Sequence, residues 1–183
     1  MMHKQTQTGF TLVEIMITMS ITSVIASIAV PSYQNMIERH YLKQVLEGLK
    51  ADMQWARTET IKQNKNIVLS RSAGNLGAWC YGLAIKTSSK SNCDCNITDL
   101  SSSSYCDLKR ITGDLYKKTT LELAYTQSNS FDSRRGTINA GGVTFSTSNY
   151  VARVVFSDLG RVRICTPKPL PTGKTALQEQ LSC

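Results

Sequence analysis

A chain of 183 residues with a formal net charge of +8, 41% hydrophobic and 19% charged residues has room for one domain beyond an N-terminal helix, not two. Its two histidines and six cysteines form no paired Cys-x-x-Cys or His cluster, so no metal is expected. It also lacks a Gly-x-Ser-x-Gly elbow, a phosphate-binding loop and a His-Glu-x-x-His helix, which argues against an enzyme and against a cofactor.

Gly9-Phe10-Thr11-Leu12-Val13-Glu14 opens the longest apolar stretch in the chain. Phe10 to Val30 runs 21 residues without Lys, Arg or Asp, yet holds Glu14 near its start. That length spans a bilayer as a helix. A carboxylate inside such a span is costly unless an opposite charge neutralises it, so Glu14 reads as functional. A secretory signal would have a shorter apolar part ending in a small-residue cleavage site, whereas this one continues into an amphipathic helix. His3 and Lys4 precede the span, so the leader is expected to stay cytoplasmic and the rest to cross outward.

This hexapeptide, after a short basic leader, resembles the class III leader of type IV pilins and type II secretion pseudopilins. The resemblance implies that a membrane prepilin peptidase cuts between Gly9 and Phe10 and N-methylates the new amine. It also implies that Glu14 pairs with the Phe10 amine of a neighbouring pilin in the filament. The chain would then sit in the inner membrane as a single pass, its C-terminal domain periplasmic, before joining an extracellular pilus. The expected division is a leader over 1–9, a transmembrane and filament-core helix over 10–36, and a soluble domain over 37–183.

The helix is predicted to run past Pro31 to about Gln63, with a kink or local melting at the proline. Beyond it, Tyr41, Leu42, Val45, Leu46, Leu49, Met53, Ala56 and Ile61 recur at near-helical spacing. Lys43, Glu47, Lys50, Asp52, Arg57 and Lys62 fall largely on other faces. His40, beside Arg39, reads as a solvated helical residue; His3 lies in the leader. The polar run Asn64 to Asn66 ends the helix.

Strand-like segments follow at Ile67 to Leu69, Trp79 to Ile85, Leu121 to Tyr125 (with Leu121, Leu123 and Tyr125 on one face), Ile138, Val143 to Phe145, Val151 to Phe156 and Val162 to Ile164. Ser88 to Ser104 is a Ser/Asn/Cys-rich loop, and Pro167, Pro169, Pro171 and Gly173 make the tail irregular. The expected fold is α+β, the long N-terminal helix packed on a small antiparallel sheet or sandwich. In an oxidising compartment six cysteines form disulfides, with fifteen possible pairings. We expect Cys165 with Cys183, and two links among Cys80, Cys93, Cys95 and Cys106.

The residues from Leu49 to Leu69, Trp79 to Ile85 and Val155 to Ile164 are similar to the helix-to-strand junction, second strand and last hairpin of the GspH/FimT group of minor pilins, within a type IV pilin fold. The likeness is interrupted by the Cys-rich insertion at about 88–106.

The last third of the chain is basic. From Ser133 onward Arg134, Arg135, Arg153, Arg161, Arg163, Lys168 and Lys174 face only Asp158 and Glu179. Ser157 to Gly160 reads as a hairpin turn, with Gly160 free to take a left-handed conformation. Arg161 and Arg163 then share one face of a strand, about 7 Å apart, a spacing from which two guanidiniums reach adjacent phosphates. An edge strand also carries arginine simply to discourage pairing with another edge. Gly160-Arg161-Val162-Arg163 resembles the Gly-Arg-x-Arg motif of FimT-type minor pilins, which bind DNA in natural transformation. That resemblance assigns contact with double-stranded DNA to Arg161 and Arg163. Lys168 and Lys174 extend the patch on charge alone, and Arg134 and Arg135 either widen it or decorate a loop. Binding through phosphates would be weak and independent of sequence. The competing roles are a structural priming or tip minor pilin, a type II secretion pseudopilin, and adhesion to another polyanion.

Overall fold

The computed structural model describes residues 9–122, 129–177 and 181–183. Helix α1 spans Leu12–Gln63 and stops at Asn64, whose φ of 52° lies in the left-handed region that Asn tolerates. The helix continues through Pro31, so the local melting expected there does not occur. A single missing donor leaves the neighbouring backbone bonds in place.

The first turn is closed reciprocally. The Glu14 N–H donates to Thr11 Oγ1 at 3.2 Å, and the Thr11 N–H donates to the Glu14 carboxylate at 3.3 Å. Thr-x-x-Glu is capping-box spacing. Further along, the hydroxyls of Thr18, Ser20, Thr22, Ser23 and Ser27 each donate to a carbonyl three or four residues back, at 2.7–2.9 Å. Such self-contained bonding lets hydroxyls lie in an apolar surrounding without an unmet donor.

Contacts separate a unit ending at Ile37 from one running from Glu38 to Cys183. In the second unit, Leu42, Val45, Leu46, Leu49, Met53 and Ala56 form one buried helical stripe. Two residues depart from the sequence-based assignment. Ile61 is 54% exposed while Thr60 is buried, because position 60 continues the 53–56 row and position 61 is turned about 100° away. Asp52, expected on a polar face, is buried. Its carboxylate accepts the Tyr81 hydroxyl at 2.9 Å and is paired with Lys109.

That stripe packs with two small sheets. The first has the order β3-β2-β1-β5, from β1 (Ile67–Ser72), β2 (Cys80–Ile85), β3 (Lys109–Thr112) and β5 (Asn129–Phe131). The second has the order β4-β6-β7-β8, from β4 (Thr120–Glu122), β6 (Gly141–Ser146), β7 (Tyr150–Phe156) and β8 (Val162–Cys165). All these pairs are antiparallel, and the two-residue β9 (Thr175–Ala176) lies parallel to the start of β7. Sequence patterning does not reveal β3, β5 or β9, which are short or polar. Leu123 and Tyr125 lie outside the described residues.

The main core unites the helix stripe with Ile67, Leu69, Leu83, Phe131, Phe145, Val154 and Phe156. Trp79 meets Phe145 edge-on, with ring centroids 5.1 Å apart, and its indole N–H donates to the Thr119 carbonyl at 3.0 Å.

The disulfides are Cys80–Cys95, Cys93–Cys106 and Cys165–Cys183. The first two form a second small core with Val68 and Ala84. Alternate residues point to opposite faces of a strand, so Ile67 and Leu69 serve the main core while Val68 serves the insertion. The Cys-rich loop thus covers the outer face of the first sheet. Gly82 makes this possible, since a Cβ there would lie 2.4 Å from the Cys106 sulfur.

Candidate nucleic-acid interface

Strands β7 and β8 form the expected hairpin. Phe156 faces Val162, Val155 faces Arg163 and Arg153 faces Cys165. The turn is closed by the Gly160 N–H donating to the Ser157 carbonyl at 2.8 Å, and Gly160 has φ +74°. Val162 is buried and Ile164 packs against the core, which leaves Arg161 and Arg163 on the other face, both exposed. Neither side chain has a carboxylate partner among the described residues.

Two acids lie on the turns at this end of the domain, and both hold backbone N–H groups. The Asp158 carboxylate accepts the Ala140 N–H at 2.9 Å. The Asp132 carboxylate accepts the N–H groups of Arg134 and Arg135, at 3.0 and 3.3 Å. These bonds fix the 132–136 turn. Its Gly136 carbonyl lies so close under Gly160 that a Cβ on Gly160 would approach it to 2.4 Å. The turn bearing Arg134 and Arg135 therefore abuts the turn bearing Arg161.

The lysines lie elsewhere. Lys174 precedes β9, which pairs with β7 at Tyr150, the end opposite the hairpin turn; about 20 Å of strand separates them. It also pairs with Glu122 at 3.6 Å. Lys168 is exposed, three residues beyond Cys165, at the end of β8 remote from the turn. Glu179 is outside the described residues.

Two further arginines border this region: Arg57, which sequence alone does not assign to it, and Arg153, which sequence counts only among the cations of the last third. Arg57, from α1, donates its Nε–H to the Gly136 carbonyl at 3.0 Å; the contact spans 79 positions, so no local pattern signals it. Arg153 lines a cavity of about 400 Å³ with Arg71, Asn129, Val155 and Cys183. There, burial first and the Arg153 charge second hold the Arg71 guanidinium below its ordinary pKa. Among the described residues no three His, Cys, Asp or Glu side chains converge on a metal-sized site.

A capped apolar N-terminal helix, whose second half is buried with two small sheets, defines the class of type IV pilins and pseudopilins. Residues 4–30 match the prokaryotic N-terminal methylation motif. Residues 46–160, more than half of the chain, match the family described as type II transport protein GspH; the chain belongs to that family. The type IV major fimbrial protein FimA of Dichelobacter nodosus is 46% identical over 43 residues, 24% of this chain and 28% of FimA. The chain thus matches less than a third of the length of that curated relative. The solved structure of the type IV minor pilin FimU of Pseudomonas aeruginosa shares the fold, with TM-score 0.50 at 16% identity, covering 70% of this chain and 91% of FimU. Membership of a family of pilin-like structural proteins agrees with the expectation that the chain is not an enzyme. The helix is long and apolar enough to cross a membrane.

Proposed function

We propose that the chain is a structural minor pilin or pseudopilin, held in the inner membrane and then packed into a filament through the first half of α1. The observation that carries this reading is the run of large apolar side chains from Phe10 to Met36, exposed throughout, with the hydroxyls of Thr18, Ser20, Thr22, Ser23 and Ser27 bonded to the helix's own carbonyls. A helix that is apolar all round needs lipid or other helices around it. Prepilin peptidase cuts after Gly9, and the freed Phe10 amine of one subunit meets Glu14 of the next. Replacing Glu14 by Gln removes that charge pairing. The variant should be processed normally yet missing from sheared filaments, as read by immunoblot of membrane and sheared fractions. Wild-type amounts of Glu14→Gln protein in the filaments would refute the role.

A second reading adds DNA to this scaffold. It is favoured by the exposed Arg161 and Arg163, which have no acidic partner among the described residues, and by their likeness to a Gly-Arg-x-Arg hairpin. Filament assembly carries the domain outward, and the hairpin contacts the phosphates of extracellular double-stranded DNA during natural transformation. The test is the full chain in non-ionic detergent, titrated with duplex DNA at several salt concentrations. Arg161→Gln with Arg163→Gln should flatten the salt dependence by roughly 0.9 log units for each phosphate no longer held. In cells that variant should lose transformation while pili or secretion persist. Unchanged affinity in the folded double variant leaves the purely structural role.

A further inference from the structure

We infer that Arg57 and the glycine of the Gly160-Arg161 turn build a phosphate-binding cleft, in which Arg57 contacts the nucleic-acid backbone beside Arg161. The inference rests on the DNA-contact reading above and adds a residue from a different part of the chain.

The cleft is about 410 Å³ and is lined by Gln54, Arg57 and Thr58 of α1 and by Gly160, Arg161 and Val162. That is room for a phosphate with its adjoining sugar. Two guanidiniums line it, and neither has a carboxylate partner among the described residues. Arg57 is half-buried and held in place: its Nε–H is spent on the Gly136 carbonyl, which leaves the terminal fork of N–H groups for a ligand.

Backbone closes around this guanidinium on two sides. Gly136 and Gly160 both have positive φ, +61° and +74°. A Cβ on Gly160 would lie 2.9 Å from Arg57 Nε, and one on Gly136 would lie 3.3 Å from it. Gly160 is therefore required twice, by the turn and by the arginine packed beneath it. A guanidinium fixed in this way loses less side-chain entropy on binding than a free surface arginine.

The surroundings favour a polyanion over a single carboxylate. Arg134 and Arg135 stand on the turn that supplies the Gly136 carbonyl, and Arg163 follows Arg161 on the strand. Asp132 and Asp158, the acids on the same two turns, keep their charges while holding backbone N–H groups, and Arg57, Arg134, Arg135, Arg161 and Arg163 outnumber them. A nucleic-acid strand presents negative charge at regular short intervals, which matches a row of cations better than one acidic side chain does.

The test uses the full chain in non-ionic detergent with a short duplex of mixed sequence. Arg57→Gln should lower the salt slope by roughly 0.9, and Arg57→Lys should restore most of it. Phenylglyoxal footprinting of the unmutated chain, read by mass spectrometry, gives a measurement independent of folding in any variant. DNA should protect Arg57 together with Arg161 and Arg163, and should leave Arg110 as reactive as before. If Arg161→Gln flattens the slope while Arg57→Gln does not, or if Arg57 stays reactive while Arg161 is protected, the cleft assignment fails and the hairpin reading survives. If Arg161→Gln with Arg163→Gln changes nothing, both fail. Protection of Arg57 by polyglutamate but not by DNA overturns the phosphate assignment in favour of an acidic protein partner.

Discussion

Helix α1 carries two kinds of apolar surface. Before Ile37, Leu12, Val13, Ile17, Met19, Ile21 and Ile25 are spread around the helix, and each is more than half exposed. After Glu38 one stripe, Leu42, Val45, Leu46, Leu49, Met53 and Ala56, is 0–2% exposed, while Trp55 and Ile61 lie off it. The periodicity of a helix therefore reports what covers it. An apolar helix without periodicity awaits lipid or neighbouring helices on all sides, whereas a stripe is covered by its own domain. The difference also separates shared from particular function: the first surface is what a filament needs, and the second positions the basic turns.

The largest expected effect breaks this comparison most directly. Phe145 is fully buried against Trp79, so Phe145→Ala should destabilise the domain by about 3–5 kcal/mol. Ile21→Ala removes a side chain that no part of the domain covers, and should change the same denaturation midpoint by less than about 0.5 kcal/mol. Urea unfolding of the full chain in detergent, followed by near-ultraviolet circular dichroism, measures both. Equal losses would mean that the first half of the helix is part of the domain's cooperative core.

The next effect concerns how the second region is held at its C-terminal end. The Cys165–Cys183 link closes a loop with a sequence separation of 18. Around it, the Thr166 N–H donates to the Leu181 carbonyl at 2.8 Å and the Cys183 N–H to the Thr166 carbonyl at 2.9 Å. Replacing both cysteines by Ser should cost about 3 kcal/mol, chiefly by freeing the unfolded chain. Filament incorporation should be unaffected wherever the folded domain persists, since the first region contains no cysteine. Loss of incorporation in a variant that remains folded would show that the tail takes part in assembly.

The regions also differ in how far sequence reveals them. The apolar span, the end of α1 and the β7–β8 hairpin are legible because each is encoded by adjacent residues: a composition, a polar stop, a turn with glycine. The Thr11–Glu14 cap is equally local, a Thr-x-x-Glu spacing, and is legible in principle. What sequence does not disclose is carried by distant pairs. Arg57 reads as an ordinary polar helix residue until the 132–136 turn is folded against it. Asp52 reads as a solvated carboxylate because its partners, Tyr81 and Lys109, lie 29 and 57 positions away. Strands β3 and β5 escape notice because backbone pairing to β2 and β1 defines them, not their side chains.

Asp52 also qualifies the idea that the buried stripe is purely apolar, and the smallest predicted effect isolates it. The Tyr81 hydroxyl donates to the Asp52 carboxylate at 2.9 Å. Burial, reinforced by the Asp52 charge, pushes the Tyr81 phenol well above its ordinary pKa. A group whose pKa is raised by folding lends stability that is complete below its unfolded value, about 10, and is lost as the pH climbs above it, because the unfolded chain then releases a proton that the folded one retains. Tyr81→Phe removes both the hydrogen bond and this dependence. At neutral pH it should cost roughly 1–2 kcal/mol, near the low end for a bond to a charged acceptor, since Asp52 keeps Lys109. Above pH ~10 the gap between the unmutated chain and Tyr81→Phe should narrow. Urea midpoints of the two proteins across that range measure it directly. A gap that stays constant with pH would mean the hydroxyl is not buried on the stripe, and that the second half of α1 is covered less completely than its apolar residues indicate.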